Sequence, residues 1–197
     1  MGEESLQPDI VMYSNAMGAC AKCGEWEQVL QLLADLRAAS TEADVVSYNV
    51  AISACDGGGS WLVALALLAD LKARRLEPTV KTYGAVISSC EKSSEWQRAL
   101  VLLADMREET LDPNVITCSA AISACEKSAQ WRRALSLLAE MKQTGLRPNV
   151  VAHSAAISAC EKGGEWRQAL ALLGEMDSQA LSPDAISVNA AISACEK

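Results

Sequence analysis

The 197-residue sequence has no phenylalanine, one histidine and five prolines, and it lacks any basic excess: 25 acidic against 17 basic side chains give a formal net charge of −8. That balance is the wrong sign for gripping phosphates or an anionic membrane by bulk electrostatics, although it leaves room for a local basic stripe. The lone C-x-x-C, Cys20 to Cys23, has no second pair. With His153 the single histidine, a four-ligand zinc site cannot be assembled. No Ser/His/Asp set or paired catalytic carboxylates can be placed, and the H-x-E and P-C-x-x-C signature of cytidine deaminases is absent. The glycine-rich stretch Asp56-Gly57-Gly58-Gly59-Ser60 reads as a loose turn between helices, not a phosphate loop. These absences predict no catalysis, no cofactor, no metal and no small-molecule substrate. No apolar run approaches the roughly 18 residues of a membrane span. There is no secretory signal, and residues 1–9 are acidic, unlike an arginine-rich transit peptide.

What is present is a period. Tryptophan returns every 35 residues at Trp26, Trp61, Trp96, Trp131 and Trp166, and cysteine keeps the same step at Cys20, Cys55, Cys90, Cys125, Cys160 and Cys195. Pro8, Pro78, Pro113, Pro148 and Pro183 follow it too, with Ala43 where one proline is missing. A fixed period in this range marks a solenoid of stacked units, each touching its neighbours. The chain divides into a lead-in at 1–9 and five units at 10–44, 45–79, 80–114, 115–149 and 150–184, with the start of a sixth at 185–197. With 50% hydrophobic residues the seam between units can be filled. Stacked helices lie about 8–10 Å apart and a disulfide needs Cα atoms within about 7 Å. The periodic cysteines therefore read as small buried residues of a reducing compartment.

The unit 115–149 reads as a helical hairpin. Cys118, Ala121, Ile122 and Cys125 share one face of a first helix. Lys127-Ser128-Ala129-Gln130 is a polar break. A second helix follows, with Trp131, Ala134, Leu135, Leu138 and Met141 as its apolar stripe and Leu137 widening it. Gly145 ends it, Pro148 bars its continuation, and Asn149 can cap the next helix. The tryptophans read as wedges between the two helices of their own unit rather than as base-stacking platforms. Leu30, Leu65, Leu100, Leu135 and Leu170 share one seam position, and Leu36, Leu71, Met106, Met141 and Met176 another. No segment carries a strand signal.

A two-helix unit of this length, closed by Gly-x-x-Pro-Asn/Asp as in Thr144-Gly145-Leu146-Arg147-Pro148-Asn149-Val150, resembles the pentatricopeptide repeat. Val46-Ser47-Tyr48-Asn49 is similar to the family's opening and Ile52-Ser53-Ala54-Cys55 to its mid-helix. The uniform step resembles the subclass without length variants. Leucine, as at Leu103 and Leu138, stands where the family's second helix usually has phenylalanine. The tetratricopeptide repeat is less similar, since its W-x-x-L-G-x-x-Y start is missing. The resemblance implies an all-α fold, a right-handed α-solenoid superhelix of helix-turn-helix repeats. It also implies binding of single-stranded RNA in a chloroplast or mitochondrion, one nucleotide per repeat.

By that resemblance the base readers are the fifth residues, Ser14, Asn49, Gly84, Ser119, Ser154 and Asn189, with the last residues, Asp44, Thr79, Asn114, Asn149 and Asp184. The second residues, Val11, Val46, Lys81, Ile116, Val151 and Ile186, flank the base. Independently of the family, Ser and Asn are mediocre helix formers, yet they recur off the packing stripe, where short polar groups suit base-edge recognition. The last residues are ordinary N-caps as well. Lys22, Lys92, Lys127, Lys162 and Lys197 form a basic ladder able to track phosphates, or to sit favourably at helix C-termini. Glu91, Glu126, Glu161 and Glu196 precede four of them and can partner them. Two functions remain open: a non-catalytic, sequence-selective RNA adaptor, or a helical scaffold for protein partners without RNA binding. Ile192 and Cys195 leave an apolar stripe uncovered at the C-terminal end, which predicts a segment of a longer array or end-to-end self-association.

Overall fold

The computed structural model of the chain describes residues 10–39, 43–58 and 60–196. Among them run α1 (Ile10–Lys22), α2 (Trp26–Ala38), α3 (Val45–Gly58), α4 (Trp61–Ala73), α5 (Val80–Lys92), α6 (Trp96–Glu108), α7 (Val115–Lys127), α8 (Trp131–Gln143), α9 (Val150–Lys162), α10 (Trp166–Ser178) and α11 (Ala185–Glu196). No strand occurs among the described residues. Most helices have 13 residues, about 20 Å of rise. The first helices begin at the same place in every repeat, and each second helix begins on a tryptophan. The lead-in 1–9 lies outside the described residues. The glycine-rich stretch is less of a turn than expected: α3 runs on through Gly57 and Gly58.

The chain forms two compact units, Met1–Ser89 and Cys90–Lys197. In the first, α1 packs on α2 and α3, and α3 packs on α2 and α4. In the second, α7 packs on α6 and α8, while α9 is enclosed by α7, α8, α10 and α11. Each is a stack of helical hairpins, so the fold is an α-solenoid.

Local chemistry starts and stops the helices. Asp44, Thr79, Asn114, Asn149 and Asp184 each accept the backbone N–H three residues on, at 2.8–3.3 Å. Second helices close on a residue in the left-handed region: Arg75, Thr110, Gly145 and Ala180. The next residue then donates back to the helix, as Leu146 N–H does to the Met141 carbonyl at 2.8 Å. Only Gly145 takes this conformation without steric cost.

Packing separates the two helix types. The inner first helix α9 is flanked by α7 and α11 and buries Ala152, His153, Ser154, Ala156, Ile157, Ala159 and Cys160. Alanines recur there because neighbouring backbones approach closely. Second helices bury one stripe: Val29, Ala64, Ala99, Ala134 and Ala169, then Leu33, Leu68, Leu103 and Leu138, then Leu36, Leu71, Met106, Met141 and Met176. This corrects the sequence reading in two respects. Leu135 and its equivalents Leu30, Leu65 and Leu100 are only half-buried, and Leu170 is exposed. The tryptophans are only partly enclosed: four are half-buried and Trp166 is 45% exposed. Trp131 lies against the following repeat, where a Cβ at Gly163 would meet its Cδ1 at 2.2 Å. The Arg132 guanidinium stands 4.8 Å from the same ring.

All described cysteines are free thiols. Cys55, Cys90, Cys118, Cys125 and Cys160 are buried, whereas Cys20 is half-buried and Cys195 is exposed, so the periodic position is not uniformly core. Ile192 beside Cys195 is exposed as well. Burial pushes the Cys55, Cys90, Cys125 and Cys160 thiols up to about 11. Burial, together with donation to Asp70, pushes the Tyr48 hydroxyl up to about 12. All five groups are neutral in the fold. The stability they contribute is complete below their unfolded pKa values, about 8.5 for thiols and about 10 for tyrosine. It is lost as pH rises through the folded values. The melting temperature is therefore expected to hold to about pH 9 and fall steeply above it. At neutral pH a thiol reagent should label Cys23 and Cys195 fast and these four cysteines only on unfolding. Rapid native labelling of Cys125 would contradict this packing.

Candidate nucleic-acid interface

The fifth and last residues of a unit start far apart in sequence, one early in a first helix and one at the N-cap of the next. Stacking brings them together. Ser119 Oγ lies 3.2 Å from Asn149 Oδ1, and Ser154 Oγ lies 3.1 Å from Asp184 Oδ1. In the two N-terminal repeats a third side chain joins them. Thr82 Oγ1 donates to Asn49 Oδ1 at 2.6 Å and contacts Thr79 Oγ1 at 3.0 Å. Ser47 Oγ donates to Asp44 at 2.8 Å and lies 3.5 Å from Ser14 Oγ. Asn49, Ser119 and Ser154 are nearly buried, so the pairs are anchored rather than waving in solvent.

Around them the apolar second residues stand out. Val11, Val46, Ile116, Val151 and Ile186 are 57–72% exposed, and Lys81 is exposed in their place. A groove of about 360 Å³ is lined by Gly18 and Ala21 of α1, Val46, Asn49, Val50 and Ser53 of α3, and Lys81 of α5. It thus gathers Asn49, apolar side chains and the Lys81 ammonium group around one groove. Two expected readers are less well placed. Asn189 is exposed on α11. Asn114 is exposed and spends Oδ1 on the Thr117 N–H at 2.9 Å, in a two-way capping box. Gly84 offers no side chain. Asp184 is held below the usual carboxylate range, first by hydrogen bonding from Ser187, so it is ionised at neutral pH.

The basic ladder is engaged. Lys127 Nζ lies 2.9 Å from Glu91 Oε1, and Lys162 Nζ lies 2.5 Å from Glu126 Oε1. Each lysine thus bridges to the glutamate of the preceding repeat. Lys22 and Lys92 are exposed, and Lys197 lies outside the described residues. A second ladder of opposite direction joins second helices: Arg37 to Asp70, Arg107 to Glu140 and Lys142 to Glu175. Exposed pairs of this kind contribute about 0–1 kcal/mol each, so their main effect is to neutralise charge between neighbouring repeats.

Sequence reasoning missed Ser47, Thr82 and Ser187, the hydroxyls that join the readers. Their spacing of three from the N-cap is a capping-box signal that could have pointed to them. Among the described residues no acidic, histidine or cysteine cluster could hold a metal, and no helix is long and apolar enough to cross a membrane.

The model of the pentatricopeptide repeat domain matches residues 1–59, 31–93, 66–128, 101–163 and 136–197. The chain belongs to the pentatricopeptide repeat family. No curated protein matches it. Among solved structures it is similar to the pentatricopeptide repeat protein PPR10 from maize, at 28% identity and a TM-score of 0.78 over 95% of this chain and 27% of that one. PPR10 in complex with an 18-nucleotide psaJ RNA element superposes at 27% identity and a TM-score of 0.81, over 96% of this chain and 28% of that one. The chain therefore spans little more than a quarter of PPR10. The pentatricopeptide repeat domain of Arabidopsis thaliana protein-only RNase P 1, solved with tRNA, is 12% identical. It superposes at a TM-score of 0.81 over 95% of this chain and 98% of that domain, a likeness of fold alone.

Proposed function

We propose that the chain is a non-catalytic, sequence-selective adaptor for single-stranded RNA, acting in organellar RNA processing, stability or translation. The observation that carries this reading is the joined fifth and last residues, repeated along the stack beside exposed branched apolar side chains. Polar pairs held by neighbouring repeats can read a base edge while Val or Ile covers its face. The RNA complex of PPR10 supports the class of ligand.

The proposed readers carry the family's pairing rules over to this chain: Ser with Asp takes guanine, Ser with Asn takes adenine, and Asn takes a pyrimidine. From 5′ to 3′ the expected bases are G, pyrimidine, unassigned at Gly84, A, G and pyrimidine. Selection from a randomised single-stranded pool tests this order. Absence of preference at the fourth and fifth bases would overturn the pairwise reading.

One observation favours the rival, a scaffold for protein partners. The net charge is −8, and Lys127 and Lys162 are already ion-paired. Salt separates the two. An RNA complex should weaken as salt rises, with a log–log slope of about −2 to −3 if three or four lysines reach phosphates at about −0.7 each. A scaffold shows no RNA binding at any salt.

A further inference from the structure

We infer that the third residue of each following repeat is a positioning residue for base specificity, a hydroxyl relay that sets which reader donates and which accepts. The inference rests on the RNA reading above and adds Ser47, Thr82 and Ser187 to it. A hydroxyl has one proton and two acceptor sites, so each relay has a direction.

In the fifth repeat Ser187 Oγ donates to the Asp184 carboxylate. Its proton is thereby spent, and the Ser154 proton is held inside the fold by the Val150 carbonyl at 2.8 Å, with Ser187 at 2.7 Å and Asp184 at 3.1 Å as its other neighbours. The pair then faces a base with Ser154 lone pairs and the second Asp184 oxygen, acceptors throughout. Such a surface suits an edge rich in N–H donors, as guanine has at N1 and N2. In the first repeat Ser47 likewise donates to Asp44 at 2.8 Å, with Ser14 Oγ farther off at 3.5 Å from Ser47 Oγ. The second repeat runs the other way. Thr82 donates to Asn49 Oδ1, and Thr79 can pass its own proton to Thr82. Asn49 is left presenting its amide N–H groups, so it offers donors to a base acceptor.

Two repeats act as internal controls. After the fourth repeat the relay residue is Ala152, and Asn149 Oδ1 accepts the Ala152 N–H at 2.9 Å, while Ser119, 3.2 Å away, has the Val115 carbonyl nearer at 2.6 Å. After the third repeat, whose fifth residue is Gly84, Thr117 turns its hydroxyl to the Asn114 backbone carbonyl at 3.0 Å instead. Thr117, which has a hydroxyl but no fifth-residue side chain to meet, thus forms no relay.

The test measures binding to RNAs that differ only at one base. In Thr82→Val the Asn49 amide can turn over, and discrimination at the second base should fall about fivefold, the worth of one hydrogen bond. Thr82→Ser should restore it. Discrimination at the fourth and fifth bases should not change. A merely structural role would lower the melting temperature and the affinity for every RNA without changing that ratio. Ala152→Ser adds the missing relay. Serine fits, since Ser47 and Ser187 are fully buried at the same position. It should sharpen adenine preference at the fourth base about threefold. This arm decides the matter if Thr82→Val fails to fold. Unchanged ratios in folded variants, against a wild type that does discriminate, overturn the relay alone. A wild type without base preference overturns the RNA reading and the relay together.

Discussion

Replacing Asn149 with aspartate is expected to move the fourth base preference from adenine to guanine while leaving the fold intact. Asn149 Oδ1 accepts the Ala152 N–H at 2.9 Å and sits 3.2 Å from Ser119 Oγ. Aspartate keeps both contacts, as Asp184 does with Ser187 N–H at 2.8 Å and Ser154 at 3.1 Å. What it loses is the amide donor, because an ionised carboxylate only accepts. Adenine N1 then faces an acceptor, whereas guanine N1–H and N2–H gain one. Base-edge pairs of this quality are worth about 1–3 kcal/mol, so the ratio of adenine to guanine binding should reverse by about tenfold or more. Asn and Asp cap helices about equally, so the melting temperature should stay put. A folded variant with the wild-type preference would remove Asn149 from the readers. A variant that does not fold would leave it a cap only.

The largest stability effect is expected from Leu138→Ala. Leu138 is 2% exposed on α8, between Ala134 and Met141. Truncating a side chain so enclosed removes its burial and leaves a cavity, at a cost of about 2–5 kcal/mol. Leu135→Ala on the same helix should cost under about 1 kcal/mol, because Leu135 is only half-buried and solvent can fill in. Denaturant melts of the two variants check the assignment. Equal losses would restore the apolar stripe read from periodicity. Because each repeat touches its neighbours only, Leu138→Ala should also broaden the transition as the flanking repeats uncouple.

That contrast shows why part of the core was not legible. Leu135 and Leu138 have the same chemistry and lie on overlapping helical faces. Which is enclosed depends on how α8 is tilted against α7 and α9, a matter of packing and not of period. Trp131 is similar. Its place on the stripe suggested its own hairpin, but the backbone it covers is Gly163, in the next repeat.

The sequence by itself determined the features whose causes lie within a few residues. These are the helical hairpin, the common helix starts from Ile10 to Ala185, the caps at Asn114 and Asn149, the left-handed stop at Gly145 and the family. Only the tertiary structure decided which chemistry meets which. Lys127 meets Glu91 and loses its claim to be an uncommitted phosphate contact. Thr82 meets Asn49 and orients it. Residues about one repeat apart come within hydrogen-bonding distance because stacking sets each first helix beside the next. Their separation along the chain carries no local signal of that meeting.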